Sequence, residues 1–314
     1  MKKFLHVVHA AIALLAVPAL TWGCAPMNKA AAEPLTPTQQ EAADHARAVV
    51  AHLSPFAADT LLATGGTILQ ESQTYGLRPE AERKLSFIYH ICLPDGEALS
   101  AAVCGLGANM LQQHADATTC RSAEALKDLI DKRWQALKQE YTDDMAEMDE
   151  PLAYSFATTI VPIGHFGGKE GMTTFLLADE TYTGGAHGMT NAFCLTLSDE
   201  SGKLLGLTDI FIADGLPKVF DLVAKRLSER AAGRVDETMW PPVAELADHD
   251  AEAYLAKIGG SEAYQGKWYP RPALTPEGVL FSYQQYEKDC YAAGIVQVLL
   301  PYTELEGLLK VSVK

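Results

Sequence analysis

The sequence is poor in positive charge and lacks the short motifs that mark several common catalytic centres. It has 25 lysine and arginine residues against 40 aspartate and glutamate residues, for a formal net charge of −15. This balance argues against nucleic acid or an anionic membrane surface as a partner; it serves solubility and also suits a cationic partner. The sequence has no His-Glu-x-x-His, Gly-x-Ser-x-Gly or Cys-x-x-Cys spacing. We therefore predict no metal site, no cofactor and no catalytic residue.

The N-terminus has the layout of a bacterial export signal. Lys2 and Lys3 precede an apolar run over residues 4–20, and a small residue, Gly23, stands directly before Cys24. This order is similar to the cleavage site of lipoproteins, which predicts removal of residues 1–23 and lipidation of Cys24. Ordinary cleavage near Ala25 or Ala32 is the alternative. A retained membrane span is disfavoured, because the apolar run is about the minimum length needed to cross a bilayer. Loss of both lysines lowers the formal charge from −15 to −17.

Residues 24–36 form a polar tether, so we expect an envelope protein held at the outer membrane or the periplasmic face by its lipid anchor. Export also makes disulfides an expectation, although an odd number of cysteines follows Cys24 and one thiol must be left over. We expect one bridge among Cys92, Cys104 and Cys120 and a second between Cys194 and Cys290, with other pairings left open.

Apolar periodicity predicts an α+β fold in which an antiparallel sheet packs with a few helices. A capping box at Thr38–Glu41 predicts a helix to residue 53, and a longer helix over residues 122–141 runs into an acidic stretch that should end it. A third helix follows Asp214. The predicted strands cover residues 85–92, 154–163, 173–181, 193–197, 279–283 and 295–300. We divide the mature chain into an N-terminal α+β portion, residues 37–150, and a C-terminal α+β domain, residues 151–314, packed as one unit.

The segment Tyr-Thr-Gly-Gly-Ala-His-Gly, residues 182–188, is the most informative motif of the chain. Its glycines predict a sharp connection between two strands of a sheet. The ring of His187 is expected to bond a backbone carbonyl in this turn. The alternative is a hydrolase site in which His187 joins His165 and either Asp179 or Glu180 as metal ligands or bases.

Several segments in a fixed order resemble a family of bacterial extracytoplasmic domains of unknown function. The family includes the RsiV ectodomain, the lysozyme-sensing part of an anti-sigma factor, and modules that accompany peptidoglycan deacetylases. The matching segments are residues 182–188, 202–211, 274–281, 291–295 and 301–305. The resemblance covers roughly residues 152–308 and implies an α+β domain that faces the cell wall and binds lysozyme or another wall-active protein.

The functional hypothesis is therefore a non-enzymatic, RsiV-like binding lipoprotein whose partner is a cationic lysozyme-like protein or peptidoglycan. The residues assigned to binding are Tyr182, His187, Tyr283, Tyr286 and Tyr291. Tyrosine is a common interface anchor because it combines a large contact area with a polar hydroxyl. For the last three tyrosines, the competing interpretation is that two of them face the core. A cell-wall hydrolase using His187 and a purely structural envelope lipoprotein remain the alternatives.

Overall fold

The fold is organised around a five-stranded sheet. The computed structural model describes residues 34–53, 66–78, 80, 82–111, 120–167, 171–232, 271–285 and 290–313. The predicted signal segment, the lipidation site Cys24 and the binding candidate Tyr286 lie outside these ranges. Within them, no helix is both long and apolar enough to cross a membrane.

The five strands stand in the sheet in the order in which they follow one another along the chain. They are β1 (Gly66–Tyr75), β2 (Leu85–Pro94), β3 (Tyr154–Phe166), β4 (Met172–Tyr182) and β5 (Met189–Ser198). All neighbours are antiparallel except β2 and β3, which are parallel. The predicted α+β fold is confirmed, but the sheet is not wholly antiparallel. The reason is the crossover through α2 (Glu97–Leu111) and α3 (Ala123–Met145), which returns the chain to the end of the sheet where β2 began.

A second, three-stranded sheet packs against the first. Its antiparallel strands are β6 (Arg271–Leu274), β7 (Gly278–Tyr283) and β8 (Val296–Pro301). The other α-helices of the described residues are α1 (Pro37–Leu53), the short α4 (Leu207–Ile210) and α5 (Leu216–Ala232).

Strand alternation distributes the apolar side chains over three cores. On β4, Leu177 belongs to the core beneath α2 and α3, whereas Leu176 faces α1 and the small sheet. On β7, Leu280 joins the core with Leu176, while Phe281 faces α5. The small sheet therefore lies between the large sheet and α5.

Helix α1 begins two residues earlier than its predicted capping box. The backbone N–H of Thr36 donates to Gln39 Oε1 at 3.0 Å, and the backbone N–H of Gln39 donates to Thr36 Oγ1 at 3.3 Å. These reciprocal bonds form a capping box with Pro37 in the first helical position, where its missing N–H costs nothing. The predicted box at Thr38–Glu41 is therefore wrong.

The two other predicted helices are confirmed. The Ser122 hydroxyl caps α3 by accepting from Ala125 N at 3.2 Å, and the helix ends at Met145, inside the acidic stretch. Helix α5 buries the whole of its predicted apolar face. Those residues are Leu216, Val219, Phe220, Val223 and Leu227.

No disulfide joins the described cysteines, so the structure does not contain the predicted bridges. Cys194 is buried on the α1 side of β5, whereas Cys290 is exposed. Burial raises the pKa of the thiols of Cys92 and Cys194 to about 12 and that of Cys104 to about 11. Such thiols are protonated at neutral pH and pack as small apolar groups.

Candidate functional site

The glycine-rich motif connects β4 to β5 in a tight turn. Gly184 and Gly185 have backbone φ angles of +90° and +91°, which residues with a Cβ atom rarely adopt. A Cβ on Gly188 would lie 2.8 Å from the backbone oxygen of Thr181. Each glycine therefore has a specific conformational or steric reason, and the predicted sharp connection is confirmed.

The turn presents an aromatic pair made by His187 and Tyr291. Their rings stack with centroids 3.8 Å apart and planes inclined by 23°. His187 is exposed and Tyr291 is partly buried. The sequence assigned both residues to binding from segments a hundred residues apart, and the structure brings them into contact.

One backbone carbonyl holds both rings of this pair. The oxygen of Gly188 lies 3.0 Å from His187 Nδ1 and accepts a hydrogen bond from the Tyr291 hydroxyl at 2.7 Å. A carbonyl oxygen only accepts hydrogen bonds, so His187 Nδ1 must carry a hydrogen. In the neutral ring, Nε2 then holds a lone pair. His187 is thus the carbonyl-bonded turn residue that the sequence predicted, with Tyr291 as an added partner.

The other tyrosines assigned to binding have different surroundings. Tyr182 is at the end of β4, where its hydroxyl donates to the Gly185 oxygen at 3.2 Å and braces the turn. Tyr283 is 1% exposed and belongs to the core between β7 and α5. The assignment of Tyr283 to binding is therefore wrong, because its side chain is buried in the core. The competing interpretation placed two of Tyr283, Tyr286 and Tyr291 in the core; Tyr283 lies there, Tyr291 is partly exposed and Tyr286 lies outside the described residues.

The residues of the hydrolase alternative do not converge on His187. His165 Nδ1 lies 3.3 Å from Asp199 Oδ2. On β3, His165 pairs with Thr173 near the start of β4, whereas the glycine turn with His187 follows the end of β4. Glu180 Oε1 lies 3.6 Å from His45 Nε2 of α1. Among the described residues, no three histidine, cysteine, aspartate or glutamate side chains form a group that could hold a metal ion.

Asp179, the remaining residue of that alternative, has an unusual environment. Burial raises the pKa of its carboxyl group to about 6, and the Thr158 hydroxyl and the positive charge of Arg133 offset only part of this effect. Thr158 lies directly across from it on β3, with Oγ1 at 3.5 Å from Asp179 Oδ1. The raised pKa of Asp179 therefore follows from the burial of its carboxyl group in the sheet.

Two glutamines that the sequence analysis did not single out support the turn. Gln284 is buried, and its side chain accepts from Ala192 N at 2.8 Å and donates to Ala192 O at 2.6 Å. Gln285 Oε1 accepts from Thr190 N at 3.2 Å. These amides satisfy backbone groups on the outer edge of β5, next to the turn. Gln284 and Gln285 follow β7 and are typical of an ordinary loop, so nothing in the sequence indicated that they bind the backbone of β5.

An acidic surface, defined here as Asp143, Asp144, Glu147, Asp149 and Glu150, adjoins this end of the sheet. All five side chains are exposed, and none forms an ion pair with a described residue. Asp144 accepts from the Tyr154 hydroxyl at 3.1 Å. Leu152, two residues after the acidic surface, lies against Gly184, where an added Cβ would be 2.8 Å from Leu152 Cδ1. The acidic surface and the glycine turn therefore share one end of the large sheet.

The fold and this turn define an α+β domain with a surface-exposed candidate site. Residues 208–303 match a family described as "Protein of unknown function (DUF3298)". The matched region runs from α4 to the residues after β8. The glycine turn precedes the matched region, and Tyr291 lies within it.

Two solved structures of that family are similar to this chain. The DUF3298 family member from Bacteroides fragilis NCTC 9343 is 18% identical, with a TM-score of 0.53 over 80% of this chain and 95% of that one. The DUF3298 family protein from Pseudomonas aeruginosa PAO1 is 20% identical, with a TM-score of 0.44 over 80% of this chain and 97% of that one. The first likeness shows the fold. No curated protein matches the chain.

Proposed function

We propose that this protein is an exported, lipid-anchored envelope protein that binds a cationic wall-associated protein, such as a lysozyme-like enzyme, without catalysing a reaction. The export signal and Cys24 support the envelope location, and the RsiV-like segments support a lysozyme-like partner. The observation that carries the proposal is the His187–Tyr291 pair, with His187 exposed, at the same end of the sheet as an acidic surface that forms no ion pair with the described residues.

The pair has the properties of an interface anchor. Tyr291 is already fixed by its hydrogen bond to Gly188 O, and His187 is fixed by the same atom and by the stack. Rings held before binding lose little conformational freedom when a partner arrives, so more of the contact energy appears as affinity. Aromatic side chains of this kind are enriched among the residues that dominate interface energies.

The acidic surface contributes mainly to the rate of encounter. Exposed carboxylates that form no ion pair with a described residue produce a negative potential, which attracts a cationic protein and speeds its association. This attraction is screened over about 8 Å at physiological ionic strength. We therefore expect binding that weakens with salt but persists at moderate salt through the aromatic pair.

Retention on immobilised lysozyme at low and moderate salt tests the proposal. Wild-type protein should be retained at both, with a smaller fraction retained at moderate salt. His187→Ala and Tyr291→Ala should be retained less than wild type at moderate salt, while His52→Ala, an exposed histidine in the last turn of α1, should behave as wild type. Absence of retention at both salt concentrations would remove the lysozyme-like partner. Co-sedimentation with insoluble peptidoglycan would then separate wall binding from a structural role.

A further inference from the structure

The hydrogen bond of His187 to Gly188 O determines which chemical groups of a partner can bind to its ring. Because Gly188 O accepts from Nδ1, the neutral ring turns an unprotonated Nε2 away from its backbone partner. The residue is exposed, so this nitrogen is an acceptor available to an incoming group. A partner must bring a donor to it. An incoming carboxylate or carbonyl oxygen would find no hydrogen on Nε2.

The acidic surface near the turn favours a positively charged hydrogen-bond donor over a neutral one. The acidic surface at the same end of the sheet disfavours approach of an anion and favours a cation. A cationic donor can therefore satisfy Nε2 and lie in a favourable potential, whereas a neutral hydroxyl gains only the first effect.

Donor geometry and hydration distinguish the two cationic side chains as partners for Nε2. Arginine presents five N–H groups in a planar fork, so one can reach Nε2 while others remain for water or a carboxylate. The guanidinium group is also more weakly hydrated than an ammonium group, so it loses less hydration when one N–H turns to Nε2. A lysine ammonium group is strongly hydrated and must give up more of that hydration to make the same bond.

We infer that the Nε2 edge of His187, backed by the stacked ring of Tyr291, is a receptor for an arginine side chain of the partner. This inference rests on the proposed function, because it names the partner group that the same site recognises. It assigns Tyr291 a positioning role. The tyrosine hydroxyl and its ring hold the imidazole in the tautomer and orientation that leave Nε2 free.

The test is a titration of purified protein carrying ¹⁵N-labelled histidine rings, at a pH where NMR shows His187 to be neutral. The probes are hexa-arginine and hexa-lysine. Before addition, Nδ1 of His187 should carry the hydrogen and Nε2 should give the signal of an unprotonated nitrogen. Hexa-arginine should shift the Nε2 resonance, while hexa-lysine should leave it nearly unchanged. The ring of His52 should respond to neither.

The variants give a second, independent readout. His187→Ala should weaken hexa-arginine binding about tenfold, which corresponds to about 1.4 kcal/mol, and His52→Ala should leave it unchanged. A hydrogen on Nε2 in the free protein, equal responses to both peptides, or undiminished binding by His187→Ala would each overturn the inference. The wild-type titration decides the matter even if a variant does not fold. Arginine binding without lysozyme retention would contradict only the proposed partner, and lysozyme retention by wild type without any shift of Nε2 on addition of hexa-arginine would contradict only the receptor.

Discussion

Substitution of Gln284 should lower the stability of the protein more than substitution of most other residues outside the apolar cores. Its amide satisfies both backbone groups of Ala192, with contacts of 2.8 and 2.6 Å, and only 4% of the residue is exposed. Gln284→Ala removes both bonds and leaves a buried N–H and a buried C=O without that partner. Each unsatisfied group costs about 1–3 kcal/mol. For the two groups together we therefore expect a loss of about 2–6 kcal/mol in the free energy of unfolding.

Two further variants refine this prediction. Gln285→Ala removes a single 3.2 Å bond from a half-buried residue, so its cost should stay below about 1 kcal/mol. Gln284→Glu keeps an acceptor for Ala192 N but places a negative oxygen beside Ala192 O. At neutral pH it should be at least as unstable as the alanine variant. At low pH, a protonated carboxyl group can donate to Ala192 O, and part of the loss should be recovered relative to wild type.

Guanidinium denaturation gives the free energies, and amide hydrogen exchange reports locally on the N–H of Ala192. The expected result is a lower midpoint with an unchanged slope, together with loss of protection at Ala192. A stability within about 0.5 kcal/mol of wild type, the range usual for surface substitutions, with full protection at Ala192 would refute the proposed role of Gln284.

Three other predictions concern titration and anchoring. Asp179 has a folded-state pKa of about 6 against an ordinary value of 3.8, so the folded protein holds this proton more tightly and its stability falls as pH rises between those values. Asp179→Asn should remove this fall and gain about 1–2 kcal/mol at pH 7, measured by denaturation across pH. Burial lowers the pKa of His90 to about 4 from 6.5, so stability is lost as pH drops through that range; His90→Asn should flatten this acid limb, and an unchanged slope would contradict the assignment. Cys24→Ala should move the protein from the membrane fraction to the soluble periplasmic fraction, and continued membrane association would rule out the lipid anchor.

Elements with a strong local signal were predictable from the sequence. Five apolar residues at helical spacing predicted the buried face of α5, and all five are buried there. The α1 cap shows the limit of such signals, because Thr36–Gln39 and Thr38–Glu41 both satisfy the capping-box pattern. Pro37 directly after Thr36 is the sequence signal that distinguishes them, because proline is common in the first position of a helix.

Features that depend on distant parts of the chain were not predictable in the same way. The parallel pairing of β2 with β3 follows from how α2 and α3 cross the sheet, which apolar periodicity does not report. The contacts of Gln284 with Ala192 and of Tyr291 with His187 each span about a hundred residues. The motif predicted the turn and the carbonyl bond of His187, but its stacking partner required the folded structure.

The most direct test of the central claim is the affinity of the protein for lysozyme, compared between wild type, His187→Ala and His52→Ala at moderate salt. We expect measurable binding by wild type and His52→Ala, and binding about tenfold weaker by His187→Ala, which is the effect of an ordinary interface anchor. Equal affinity of all three proteins, or no binding by wild type, would contradict it.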